Sequence, residues 1–163
     1  MADQPDIFDT LKSDHIRQRD LLDRITQAKP GSGERSALFE AFTFDSKGHA
    51  AAEEQALYST VLRKPPLTAC GRHSVAEHHE IEGLLNDVAA AEFGSSTWDE
   101  KFAALKHRYL HHIDEEEEDM FPRFAEVLTD EDAVYMRQVF ERRKAVETEK
   151  AEVTPERLED KDD

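Results

Sequence analysis

Four histidines and two glutamates recur along the chain at regular spacings, and both residue types can bind metal ions. An imidazole offers one nitrogen ligand, and a carboxylate can hold two cations because it has two oxygens. Each glutamate follows a histidine by four residues, so on a helix the two side chains share one face. The six residues are His15, His49, Glu53, His78, His112 and Glu116.

These six residues belong to an internal repeat. Residues 14–62 align without a gap on residues 77–125, and 11 of the 49 aligned positions are identical. The alignment places each of the six on a partner of the same type: His15 on His78, His49 on His112, and Glu53 on Glu116. Because the identities include every metal-binding candidate, chance is a poor explanation. The repeat indicates two helical hairpins related by a pseudo-twofold axis.

Turn-forming residues divide the chain into four long segments. Residues 29–33, 64–66 and 93–96 are rich in Gly, Pro and Ser, which favour turns. Between these turns, apolar residues recur at spacings of three and four, which predicts amphipathic helices. Four long helices with short connections are typical of an antiparallel up-down-up-down four-helix bundle, and this is the all-α fold that we expect.

The four histidines are expected to meet in one layer of this bundle. The first two are equidistant from the first turn and the last two from the third, and the members of each pair are 34 positions apart. In antiparallel helices, which rise about 1.5 Å per residue, such residues lie at the same height. All six candidates fall on the apolar faces, where a charged group is costly unless it is paired or binds a metal. The sequence therefore predicts a buried metal centre.

This set of ligands indicates two metal ions. Two bridging glutamates and two histidines per ion would give each ion four protein ligands, and a solvent-derived oxo or hydroxo bridge would add a fifth. Nitrogen and oxygen ligands without a thiolate favour iron, with manganese and zinc as the alternatives. We therefore expect two iron ions, each with one coordination position open to dioxygen, peroxide or nitric oxide.

The pattern H…HxxxE…H…HxxxE resembles the hemerythrin-like (HHE cation-binding) domain, in its bacterial stand-alone form. The sequences HAAAEEQALYS from His49 and HIDEEEEDMFP from His112 resemble that family as well. The resemblance implies a four-helix bundle with a non-haem di-iron centre. Members of the family bind oxygen, sense oxygen or iron, or reduce peroxide or nitric oxide. The Glu-x-x-His pairs of ferritin-like proteins do not occur in this sequence.

One position departs from the oxygen-carrying hemerythrins, which have a fifth histidine one helical turn before the ligand of the third helix. Ser74 occupies that position here, and the adjacent His73 lies about 100° away around a helix. Tyr109 and Glu82 are the alternatives for the vacant ligand position. Together with Gln18, they are also the residues that we expect around the metal ligands.

The other residues that could bind a metal are expected to lie outside the set of ligands. Tyr58 lies too far beyond His49 along a regular helix to be a metal ligand. In the acidic run 114–119, only Glu116 is expected to point inward. The histidines outside the apolar faces are His73, His79, His107 and His111.

Composition argues against several other classes of protein. The net charge of −16 disfavours binding to nucleic acids or to anionic membranes. The lone Cys70 cannot form an internal disulfide, no apolar run approaches the roughly 18 residues of a membrane span, and the acidic N-terminus does not resemble a secretory signal. We therefore expect a cytoplasmic protein, and its oligomeric state stays open.

The 163 residues fit one domain with short extensions. The expected divisions are an N-terminal tail at 1–5, a hemerythrin-like bundle at 6–128 built from hairpins 6–63 and 68–128, an accessory C-terminal helix at 129–150, and a charged disordered tail at 151–163.

Two classes of function stay open. The first is redox catalysis on a small oxidant, either peroxidase- or catalase-like or reducing nitric oxide. The second is a non-catalytic module that binds or senses oxygen or iron. Loss of the fifth histidine favours catalysis, because two exchangeable positions let an oxidant bridge both metals.

Overall fold

The computed structural model describes residues 5–159, and within them the side chains of residues 5–147. Seven α-helices follow one another: α1 (Ile7–Gln27), α2 (Gly33–Glu53), α3 (Ser59–Val61), α4 (Thr68–Ala90), α5 (Ser96–Glu115), α6 (Phe121–Val127) and α7 (Asp130–Glu159). π-Helical turns at Glu54–Tyr58 and Glu116–Met120 join α2 to α3 and α5 to α6, and a 3₁₀ turn at Pro65–Leu67 precedes α4. No strand occurs in the described part of the chain, and the predicted all-α bundle is confirmed.

The two hairpins meet at their turns. Gly31 and Gly94 are equivalent in the repeat, and both adopt a left-handed backbone conformation, with φ of 74° and 86°, which favours glycine. A Cβ atom on Gly31 would lie 3.5 Å from the Cα of Gly94, so the turns touch. The next residues, Ser32 and Ser95, cap α2 and α5 by accepting backbone N–H groups. Matching turns therefore join the two long helices of each hairpin at the same end of the bundle.

Two apolar clusters fill the bundle and leave a polar layer between them. One cluster lies near the glycine turns and includes Leu22, Phe42, Leu85 and Leu105. The other lies toward the opposite end and includes Leu11, Leu57, Phe124 and Phe140. His15 follows Leu11 and precedes Leu22 on α1, so it lies between the clusters. Apolar packing on both sides holds the polar layer in place and shields it from water.

Helix α7 packs against α1 and α2 and completes the second cluster. It begins with reciprocal hydrogen bonds, in which the backbone N–H of Asp132 donates to Thr129 and that of Thr129 donates to Asp132. The helix continues to Glu159, beyond the expected end at residue 150. The structure thus has helix at 151–159, where the sequence predicts disorder; residues 1–4 and 160–163 lie outside the described residues.

A search of the described residues for membrane spans finds no helix with the required length and apolar character.

Candidate metal centre

The structure brings the six predicted residues together in the polar layer, in two overlapping groups. Within each group, one ligand atom per residue lies within 4.8 Å of the others. All six residues are buried. One group contains His15, His49 and Glu53; the other contains Glu53, His78, His112 and Glu116. Glu53 belongs to both groups and therefore joins them.

Glu53 faces a different histidine with each carboxylate oxygen. Its Oε2 lies 3.1 Å from His49 Nε2, and its Oε1 lies 3.3 Å from His78 Nε2. Glu116 is placed differently: Oε1 lies 2.6 Å from His112 Nε2, and Oε2 accepts a 3.0 Å hydrogen bond from Tyr58. The sequence predicts two equivalent bridging glutamates, whereas in the structure only Glu53 reaches the histidines of both hairpins.

Each of the four histidines presents its Nδ1 atom to a carboxylate. The pairs are His49 with Asp14 at 2.9 Å, His112 with Glu77 at 3.1 Å, His78 with Glu54 at 3.1 Å, and His15 with Glu117 at 3.8 Å. These partners are also equivalent in the repeat, because Asp14 aligns with Glu77 and Glu54 with Glu117. A carboxylate at Nδ1 is the usual support of a histidine that binds a metal through Nε2.

Basic side chains neutralise three of these supporting carboxylates. Arg108 pairs with Glu77, and Arg19 pairs with Glu117. The Nζ of Lys144, on α7, donates a 2.5 Å hydrogen bond to Asp14 Oδ2. The C-terminal helix therefore supports the centre through Asp14.

Several buried atoms of the centre make no hydrogen bond of normal geometry with a described residue, namely both ring nitrogens of His15, Oε1 of Glu53 and Oε1 of Glu116. The two glutamate oxygens still have ion-pair contacts with His78 and His112, and His15 Nδ1 lies 3.8 Å from Glu117, so His15 Nε2 is the atom left without a described polar contact. A buried polar atom without a hydrogen bond costs about 1–3 kcal/mol. Cations between these atoms would satisfy them, and nitrogen and oxygen ligands suit iron, manganese or zinc. The residues present therefore fit bound metal.

Paired charges dominate the metal-free centre. Burial alone would lower the pKa of His49, but its hydrogen bonds with Asp14 and Glu53 outweigh burial and raise that pKa to about 9. The same balance between burial and acidic neighbours raises the pKa of His78 to about 9 and that of His112 to about 10. Burial raises the pKa of Glu53, yet its contacts with His49 and His78 hold that pKa well below its usual range. At neutral pH, these histidines are therefore protonated beside ionised carboxylates.

Metal removal is expected to lower the melting temperature more at about pH 9 than at about pH 6. Three histidines have folded-state pKa values above the usual value of about 6.5, so their stabilisation of the metal-free fold is complete below that pH and is lost as the pH rises through 9 to 10. Bound metal needs neutral imidazoles and so gains from the same rise in pH. Thermal melts of metal-free and metal-loaded protein measure the difference between their melting temperatures. A difference that becomes smaller toward pH 9 would contradict this prediction.

Sequence reasoning missed the position of Tyr58. On a regular α-helix, a residue five positions after Glu53 points away from it, but the π-helical turn Glu54–Tyr58 adds a residue to the turn and brings Tyr58 back toward the centre. Its side chain is fully buried, and its ring lies edge-on to His78 with centroids 5.8 Å apart. The repeat places Phe121 at the equivalent position, so the hydroxyl is present in one half alone.

Glu117 corrects the expectation that only Glu116 of the acidic run points inward. Its side chain is 20% exposed and is held by His15 and Arg19. Burial raises the pKa of Glu117, but these two partners outweigh burial and lower that pKa to about 2. The sequence contains one indication of this role for Glu117, namely its alignment with Glu54 in the repeat.

The other residues that the sequence singled out lie around the centre. Tyr109 and Gln18 are buried, and the Tyr109 hydroxyl donates to Gln18 Oε1 at 2.5 Å. Ser74, in place of the fifth histidine, is buried and donates to the sulfur of Met120. Glu82 is exposed and lines a cavity that reaches the centre. His73 has a half-exposed side chain.

That cavity has a volume of about 250 Å³ and joins the centre to the surface. Its walls include four residues of the centre, namely His49, His78, His112 and Glu116. Apolar side chains such as Ile81 and Leu85 form part of the wall, and exposed Lys47 and Glu82 share it. A small molecule can therefore approach the centre along this side.

The fold and the centre define a class of protein, a helical bundle around a buried cluster of histidines and carboxylates. Comparison with protein families matches residues 6–124 to the hemerythrin HHE cation-binding domain. The chain therefore belongs to this family of metal-binding helical domains, and the resemblance seen in the sequence is confirmed.

The crystal structure of a hemerythrin HHE cation-binding domain-containing protein from Mycobacterium kansasii has the same fold, with a TM-score of 0.80. The two chains are 24% identical, and the match covers 90% of each. No curated protein matches the chain.

Proposed function

We propose that this protein holds two iron ions with an oxo or hydroxo bridge, and that it reacts there with a small oxidant such as dioxygen, peroxide or nitric oxide. The observation that carries the proposal is the set of four histidines supported by carboxylates, whose rings surround Glu53 and Glu116. Carboxylate support at Nδ1 fixes the orientation of a ring and leaves Nε2 for a metal.

The two groups of residues would hold one ion each. The proposed ligands are His15, His49 and Glu53 for the first ion, and Glu53, His78, His112 and Glu116 for the second. The group His15, His49 and Glu53 offers fewer ligands than the other group, so an ion held there would leave more positions for solvent or substrate. When bound, two iron ions supply two one-electron changes at adjacent atoms, which matches the two electrons that peroxide accepts.

Tyr58 supplies a proton donor inside the centre. Its hydroxyl donates to Glu116 Oε2 at 3.0 Å and is shielded from water. Reduction of an oxidant consumes protons, and the phenol of Tyr58 is a neutral hydroxyl that contacts the carboxylate facing His112. We therefore assign Tyr58 the role of holding a proton beside the reacting molecule.

The cavity supports a small oxidant as the substrate. A volume of about 250 Å³ is several times the roughly 30 Å³ that a water molecule occupies in the liquid. Dioxygen or peroxide could enter with some water, past walls that are partly apolar. The cavity contacts residues of both proposed ligand groups, so an oxidant would reach the site where the two ions meet.

Iron-loaded protein is expected to decompose hydrogen peroxide with repeated turnover, releasing dioxygen that an oxygen electrode measures. Tyr58→Phe should retain its iron and react more slowly, because the proton donor is lost. Tyr135→Phe is the matched control, since Tyr135 is 64% exposed, and it should react like the unmodified protein. A single change in the optical spectrum without turnover would contradict catalysis and support a non-catalytic oxygen- or iron-binding module.

A further inference from the structure

A second group of metal-binding side chains lies on the surface of the second hairpin, outside the buried centre. His73 and Glu77 are one turn apart on α4, and Glu115 ends α5. The Nε2 of His73 lies 3.3 Å from Glu77 Oε1 and 3.2 Å from Glu115 Oε1. One ligand atom from each of the three residues lies within 4.8 Å of the others. The His73 side chain is 52% exposed, so this group is open to solvent.

We propose that His73, Glu77 and Glu115 form a further metal site, which takes a divalent transition-metal ion from solution. Zinc binds histidine nitrogen and carboxylate oxygen at about 2.0–2.2 Å, so a tetrahedral ion separates its ligand atoms by about 3.4 Å. The two distances from His73 match that separation. The imidazole supplies a nitrogen ligand and the two carboxylates supply oxygen ligands, and water completes the coordination.

The surroundings of the group favour a cation. His73 and Glu115 line an open cavity whose wall also includes Glu118 and Asp119. Arg123 lines the same cavity, and its guanidinium donates to the sulfur of Cys70. The carboxylates outnumber this one basic group, so the cavity attracts positive ions.

Glu77 connects this surface group to the buried centre. Arg108 pairs with its Oε2, while its Oε1 faces both His73 and the Nδ1 of His112. A carboxylate oxygen has two lone pairs, so it can accept from His112 and bind an ion on its outer side. Substituting Glu77 would disturb both sites, and the surface site is therefore tested at His73 and Glu115.

Calorimetric titration of the iron-loaded protein with zinc chloride tests the proposal, with the retained iron measured after each titration. We expect one additional zinc ion per chain with the iron unchanged. His73→Ala and Glu115→Gln should each weaken zinc binding by more than about tenfold. Mutating even a residue that only supports a metal ligand lowers metal affinity by about tenfold or more. Iron retained in both variants shows that the fold is intact.

His107→Ala is the matched control, because His107 is an exposed histidine on α5 about two turns before Glu115, and it should bind zinc like the unmodified protein. The proposal is overturned if the iron-loaded protein takes up no zinc, if zinc binds only by displacing iron, or if both variants bind it with unchanged affinity. If zinc binds to the surface site but the protein does not turn over peroxide, the surface site is supported and the proposed function is not.

Discussion

Replacing Glu53 by glutamine is expected to empty the metal centre. Glu53 is fully buried, and its two oxygens face His49 and His78 on different hairpins, at 3.1 and 3.3 Å. The amide carries no charge, so both cations would lose a shared anionic ligand and the centre would hold uncompensated positive charge. Metal analysis after reconstitution should show the content falling from two ions per chain to less than one.

Glu116→Gln is the matched comparison, because Glu116 is equally buried and equivalent in the repeat. Only one of its oxygens faces a histidine, His112, while Tyr58 holds the other. This variant should therefore lose the ion on the side of His112 and retain more of the other. Equal losses in the two variants would show that both glutamates bridge, and would refute the asymmetry between Glu53 and Glu116.

Metal binding is expected to release about three protons from the histidines at neutral pH, in addition to those that a bridging water gives up. The pKa values of His49, His78 and His112 lie at about 9, 9 and 10 in the metal-free protein, so all three imidazoles are protonated at pH 7 and must lose their protons to bind metal. The apparent constant for filling the centre should therefore rise by up to about a thousandfold per pH unit, or about tenfold per proton released, until the pH approaches 9.

Calorimetry in two buffers with different ionisation enthalpies measures this proton release directly. The number of protons should decline as the pH rises from about 7 to about 10, because the histidines are then already neutral. Zero release at pH 7 would mean that the imidazoles are neutral in the metal-free core, and would contradict the pairing with acidic neighbours. A metal held by surface carboxylates would also release few protons.

The convergence of the six candidates in one layer could be predicted because it depends on regular features of the sequence. The 63-residue offset between His15 and His78 follows from the repeat, and the common layer follows from the constant rise of an α-helix. The bundle follows from apolar periodicity and short turns, and Gly31 and Gly94 meet as equivalent positions should.

The inward position of Tyr58 could not be predicted, because it depends on a local departure from α-helical geometry. The π-helical turn after Glu53 brings Tyr58 to Glu116, whereas regular spacing directs it elsewhere. The repeat equates Tyr58 with Phe121, whose ring instead stacks on His15 with centroids 6.1 Å apart. Glu53 and Glu116 therefore have different surroundings, because Tyr58 carries a hydroxyl group and Phe121 does not.

Contacts between distant parts of the chain also lie beyond sequence patterns. Lys144 is 130 positions from Asp14, and no periodicity relates α7 to the histidines. Glu117 belongs to a run of acids that composition alone assigns to solvent, and its burial depends on Arg19. These supporting residues become visible only when the helices are packed.

Anaerobic loading with ferrous iron, followed by exposure to air, shows whether the buried centre holds a pair of iron ions. We expect two iron ions per chain that resist displacement by excess calcium at neutral pH, and a charge-transfer absorption that develops as the iron is oxidised. One buried centre formed by Glu53 and the four histidines requires both results. Iron that leaves when calcium is added, or that binds without this absorption, would contradict a buried di-iron centre.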